Sequence, residues 1–128
     1  MVFALTICAS LLFLLIGLRF LVAPDGAAYT FGLAADARHE PHVLIGLRDL
    51  WLAALAFAFA LLGEWRALAL WFLFGSFVCF ADSAVVVASS AKPWAIAFHV
   101  ASGIFCLVLA WGSRRVATLT KAQPNGSN

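Results

Sequence analysis

Four apolar stretches, Val2 to Val22, Val43 to Leu62, Ala67 to Ser89 and Pro93 to Gly112, alternate with short polar interruptions along this chain. A helix rising about 1.5 Å per residue needs roughly 20 residues to cross the hydrocarbon core of a bilayer, so each stretch predicts one membrane-spanning helix. Alternation of period two is nowhere sustained, which argues against a β-barrel. The expected fold is all-α, an integral membrane four-helix bundle over residues 1–112 followed by a polar tail over 113–128. The segment Ala23 to His42 holds Pro24, Gly26, Asp36, Arg38, His39, Glu40 and Pro41 and reads as a long loop. Gly63-Glu64-Trp65-Arg66 and Ser89-Ser90-Ala91-Lys92 read as tight turns, and Pro93 suits the first turn of the last helix. The tail ends in Gln-Pro-Asn-Gly-Ser-Asn and reads as disordered past Lys121. The first stretch lacks a preceding Lys or Arg and a small-residue cleavage site, and its apolar run is too long for a signal peptide, so it reads as a retained helix.

Composition points the same way. Of 128 residues, 65% are hydrophobic and 11% charged, whereas a soluble domain carries about 25% charged residues; the deficit fits a single domain solvated by lipid. A net charge of +2 is too small and too scattered to suggest nucleic-acid binding, so no nucleic-acid partner is expected. Cys8, Cys79 and Cys106 each stand alone in an apolar run without metal-ligand spacing, so they read as small buried hydrophobes and no metal is expected. Arg66, Arg114, Arg115 and Lys121 collect on one side and Arg38 and Lys92 on the other, which places both termini in the cytoplasm and the first loop outside. The expected location is a bacterial inner membrane or its equivalent. Trp65, Trp94 and Trp111 fall near span ends, where aromatic belts form.

Against that apolar background the ionisable groups inside the spans carry the functional signal. Arg19, Arg48, Asp49, Asp82 and His99 all lie about 5–11 Å below the same surface at a helical rise of about 1.5 Å per residue. Independent placement would scatter them through the core, so they form a layer. Arg19 alone is compatible with snorkelling to the headgroups, but acids at this depth face a bundle interior. Small residues accompany them at helical spacing: Gly46, Asp49, Ala53, Ala56 and Ala60; Gly75, Cys79 and Asp82; Ala95, His99, Ser102, Gly103 and Cys106. Membrane helices approach closely where residues are small, so these faces are expected to meet. Leu-Ile-Gly-Leu-Arg occurs twice, at Leu15 to Arg19 and Leu44 to Arg48, each copy delivering an Arg to the layer.

Gly-Leu-Arg-Asp at Gly46 to Asp49, the segment Pro24 to Gly32, the single acid Asp82 and His99 in the last span together form a pattern. From about Leu14 to Trp111 the chain resembles a domain-of-unknown-function family of small four-helix integral membrane proteins, with a more distant likeness to DoxX-like proteins. The resemblance implies a four-helix membrane bundle and carries no activity with it.

The residues support three readings. The first is a cofactor-independent enzyme on a small lipophilic substrate, of isomerase, cyclase or epoxide-opening type. Here Asp82, His99 and Asp49 would be the acid/base groups, with Arg48, Arg19, Trp51 and His42 contacting substrate and an Arg stabilising developing negative charge. The second is a binding or accessory protein whose layer is a structural network or a headgroup site. The third, a proton-coupled carrier, ranks last because the opposite half of every span lacks ionisable groups. The partners are then the bilayer and a small lipophilic molecule, with a homo-oligomer left open. A cavity lined by Asp49, Asp82 and His99 would favour chemistry; side chains filling the space would favour structure.

Overall fold

In a computed structural model, which describes residues 1–33 and 39–122, the chain is helical almost throughout. Helix α1 spans Val2–Val22, α2 Pro24–Phe31, α3 His39–Leu61, α4 Trp65–Ser89 and α5 Pro93–Ala122. Four of these helices, all but α2, are long and apolar enough to cross a membrane. Only 28% of each spanning stretch is buried, so large apolar side chains such as Leu15, Leu70, Phe77 and Ile104 point outward. That exposure is stable only in an apolar surrounding such as lipid.

The segment read as a twenty-residue loop contains a helix. Pro24 stands in the first turn of α2 with Asp25 beside it, a pairing that suits the free N–H groups and positive dipole end there. Gly32 ends α2 with φ 81°, its N–H returning to the carbonyls of Ala28 and Tyr29. Only glycine takes that left-handed turn without strain. The supposed tail also changes: α5 runs on to Ala122, with Ser113 and Ala117 buried and Val2 packed over Gly112. The expected disorder past Lys121 falls mainly on 123–128, outside the described residues.

The bundle is built as two close antiparallel pairs, α1 with α3 and α4 with α5, with sparse contact between the pairs. Gly17 and Gly46 set the first crossing. A Cβ on Gly17 would stand 2.8 Å from the Gly46 carbonyl oxygen, and one on Gly46 would stand 3.0 Å from that of Gly17. These are the central glycines of the two Leu-Ile-Gly-Leu-Arg copies, so the repeat brings two backbones together, a role beyond delivering arginines. In the second pair the Phe80 ring occupies the space over Gly103, 2.8 Å from where a Cβ would stand. The core towards the opposite end is made of small residues, Ala9, Ala56, Ala60, Cys79, Cys106 and Ala110, filled in by Leu68, Phe72 and Leu109. Tight pairs with a loose seam between them leave room at the centre of the bundle.

Candidate functional site

That room is a cavity of about 260 Å³. Its walls are apolar: Ala9, Leu12, Phe13 and Ile16 of α1, Leu52 of α3, Trp71, Phe74 and Val78 of α4, and Phe98 and Phe105 of α5. Arg48, Asp49, Asp82 and His99 also line it, and among the described residues they are its only ionisable groups apart from the thiols of Cys79 and Cys106. A second void of about 50 Å³ lies towards α2 and shares Phe31, Arg48, Asp82 and His99 with the first. The polar layer is therefore a partition between a large apolar chamber and a small one under α2.

Within the partition the four groups differ. Asp49 lies on the buried small-residue face of α3, its side chain 4% exposed, and accepts a hydrogen bond from Arg48 Nε at 3.1 Å. Arg48 then reaches across the seam to α4, where its Nη2 stands 3.9 Å from Asp82 Oδ2. That separation is an ion pair without a hydrogen bond. Asp82 keeps 36% of its side chain exposed and Arg48 43%, so the partition has an open edge where α3 faces α4. His99 is 4% exposed, and its Nε2–H donates to the Phe31 carbonyl at 3.3 Å. A carbonyl can only accept, so this bond puts a proton on Nε2; in the neutral ring Nδ1 is then an acceptor. Nδ1 has no partner among the described residues.

Helix α2 covers this arrangement. Its far end is tied to the α4–α5 pair: the Ser90 hydroxyl donates to the Gly32 carbonyl, and a Cβ on Gly32 would collide with Ala95 and Val86. Lys92 Nζ stands 4.3 Å from the centre of the Tyr29 ring. Its near end is held by α1 through the Arg19 Nη2 donor to the Gly26 carbonyl at 3.4 Å. Between these ties Phe31 projects down among Phe20, Phe98 and His99, with ring centroids 5.0, 5.7 and 5.5 Å away.

Four of the seven residues singled out from the sequence, Arg48, Asp49, Asp82 and His99, are thus brought together on one cavity. The other three are not. Arg19 lies among the exposed residues and bonds to α2, outside the lining of either void. Trp51 is 64% exposed on the outer face of α3, because two residues beyond the buried Asp49 the helix has turned by about 200°. His42 is 2% exposed against the Phe20 ring and lines neither void. Cys8, expected to be buried, is exposed, whereas Cys79 and Cys106 are buried. Sequence patterning missed Phe31 and Trp71, and it placed Cys79 and Cys106 on the inward faces without assigning them to the site. Phe31 was within reach, since Pro24, Asp25 and Gly32 are start and stop signals for a short helix; Trp71 carries no signal that separates it from other aromatic residues in an apolar span.

Fold and site together define a small polytopic membrane protein with a polar partition inside its helix bundle. The chain belongs to the family described as domain of unknown function DUF4267, whose profile matches residues 10–113. Neither the curated proteins nor the solved structures contain a match to it.

Proposed function

We propose that the cavity receives a small lipophilic molecule and that Asp82 and His99 move a proton on it, making the protein a cofactor-independent acid/base enzyme of isomerase, cyclase or epoxide-opening type. The observation that carries this reading is a single cavity that is apolar along its walls and polar in one layer, with a carboxylate and an imidazole nitrogen unclaimed by close partners among the described residues. Ligand pockets combine apolar walls with a few placed polar groups in this way. A cavity of about 150 Å³ holds benzene, so 260 Å³ suits a molecule of about ten non-hydrogen atoms. Asp49 and Arg48 serve to position Asp82: Asp49 holds the guanidinium and the guanidinium faces Asp82. His99 supplies Nδ1 as the proton acceptor, and its bond to Phe31 aims the ring.

One observation favours the structural alternative. The Arg48–Asp82 pair crosses from α3 to α4 at 3.9 Å, as a register-fixing contact would. It is an ion pair without a hydrogen bond, and it leaves the apolar chamber beside it without an explanation. The orientation proposed with this reading has both termini cytoplasmic and the α2 end outside.

Deuterium exchange tests the chemistry without a known substrate. Purified protein in lipid nanodiscs is incubated in D2O with a lipid extract of the producing cells, and small lipophiles are analysed by mass spectrometry for new C–D bonds, the mark of isomerisation or cyclisation, and for added D2O, the mark of epoxide opening. We expect one or more species to gain deuterium with wild type and to lose that gain by about 10²–10⁴-fold in Asp82→Asn and His99→Gln, the usual range for general acid–base groups. Exchange that survives in both folded variants, or that never exceeds a protein-free control, overturns the proposal.

A further inference from the structure

The charges on the partition do not balance. Arg48 contributes one positive charge, and Asp49 and Asp82 contribute two negative charges when ionised. His99, taken as the neutral imidazole, donates through Nε2 to the Phe31 carbonyl. Among the described residues no other Lys, Arg, Asp or Glu lines either void. The cation of α1, Arg19, is turned to Gly26 on α2, and Lys92 stands over Tyr29. Arg48 is itself committed, with Nε bonded to Asp49 and Nη2 facing Asp82. It therefore has no surplus positive charge to offer a developing anion, which removes the reason for expecting an oxyanion-type substrate here.

The remaining valences are acceptors. His99 is buried to all but 4% of its surface; its Nδ1, on a ring whose Nε2–H is used, has no partner among the described residues. Asp82 has no hydrogen bond among the described residues, and the Arg48 guanidinium stands 3.9 Å away. Aromatic rings of Phe31, Phe98, Phe74 and Trp71 line the same space, and their faces attract cations. An apolar solvent leaves an unbalanced carboxylate expensive, and a ligand with a positive charge removes that cost.

We infer that the molecule taken by this cavity is a lipophilic amine, entering with its protonated nitrogen at the partition and its apolar body, about ten non-hydrogen atoms in all, in the large chamber. The ammonium pairs with Asp82 and donates to His99 Nδ1. The inference rests on the reading of the cavity as a ligand pocket; it does not rest on proton transfer taking place there.

Three compounds with one skeleton and three charges test it: 3-phenylpropylamine, which like lysine is protonated at neutral pH, 3-phenylpropan-1-ol and 3-phenylpropionate. Binding to the full chain in nanodiscs is measured by calorimetry at neutral pH for wild type, Asp82→Asn and Asp82→Glu. Hydrogen bonds to charged groups predict that the amine binds wild type about tenfold or more tightly than the alcohol, with the carboxylate weakest. That preference is expected to vanish in Asp82→Asn and to persist in Asp82→Glu. Should Asp82→Asn fail to fold, the order of the three compounds on wild type and on Asp82→Glu still decides. An alcohol that binds as tightly as the amine, or a preference for the carboxylate, overturns the inference and leaves the pocket reading standing. Failure of all three to bind overturns both.

Discussion

Neutralising the two carboxylates one at a time separates the residue that holds the fold from the residue that faces the cavity. Asp49 has a side chain 4% exposed and touches Arg48 at 3.1 Å; Asp82 is 36% exposed and lies 3.9 Å from the same guanidinium. Removing one partner of a buried pair costs about 3–5 kcal/mol. Arg48 is 43% exposed and retains Asp82 in Asp49→Asn, so the lower end applies and a destabilisation of about 3 kcal/mol is expected. In Asp82→Asn the short Arg48–Asp49 bond survives. That substitution breaks only a partly exposed pair without a hydrogen bond, for which about 1 kcal/mol or less is expected. The double variant strips Arg48 of both partners at a depth of about 10 Å. Its destabilisation is expected to exceed the sum of the two single effects, because each single variant leaves one carboxylate to compensate. Thermal melting in a mild detergent, checked by equilibrium unfolding in mixed micelles, reads all three. If Asp82→Asn costs as much as Asp49→Asn, the division of labour between the two acids is wrong, and the partition is a structural network throughout.

Other positions give independent outcomes. Gly17→Ala places a methyl against the Gly46 carbonyl and the Leu50 amide, and is expected to lower stability by about 1–3 kcal/mol in the same melts, as overpacking does. Gly32→Ala must accommodate φ 81° and a collision with Ala95; a destabilisation above about 1 kcal/mol in the same melts is expected. Trp51→Ala, on the outer face, is expected to change stability by no more than about 0.5 kcal/mol and to leave binding of 3-phenylpropan-1-ol unchanged in calorimetry. Reporter fusions after Lys121 and cysteine labelling at Gly26 check the proposed orientation; external labelling of the C-terminal end would reverse it.

What the sequence made legible follows from which interactions are local. The spans Val2 to Val22 and Ala67 to Ser89 are readable because length and hydropathy alone decide whether a segment crosses a membrane, although α4 starts earlier, at Trp65, within the stretch read as a turn. The convergence of Arg48, Asp49, Asp82 and His99 was readable because helical rise fixes depth, and the small-residue stripes fix the inward face. Depth does not fix azimuth, however. Arg19 shares the layer yet bonds to α2, and Trp51 shares the helix of Arg48 yet faces outward. His42, near the start of α3, is buried by Phe20, a packing between distant parts of the chain that no local pattern announces. The sequence posed a cavity at the polar layer against side chains filling the space, but the apolar chamber itself was not readable. It arises because the pairs α1–α3 and α4–α5 pack closely while the seam between them does not, a property of the whole bundle.

The pocket is tested most directly by filling it. Gly75 lines the cavity, and a Cβ there would meet only Cys106 Sγ at 3.9 Å and Trp71 at 4.0 Å. These are ordinary van der Waals distances, so a Cβ at position 75 fits without forcing the backbone, and Gly75→Leu is chosen to carry a side chain from there into the space. Native mass spectrometry with the neutral 3-phenylpropan-1-ol then counts bound molecules while avoiding any dependence on charge. The account predicts one molecule per wild-type chain, none on Gly75→Leu, and a melting temperature for the variant no lower than that of wild type. Equal uptake by both proteins, or none by wild type, would contradict it.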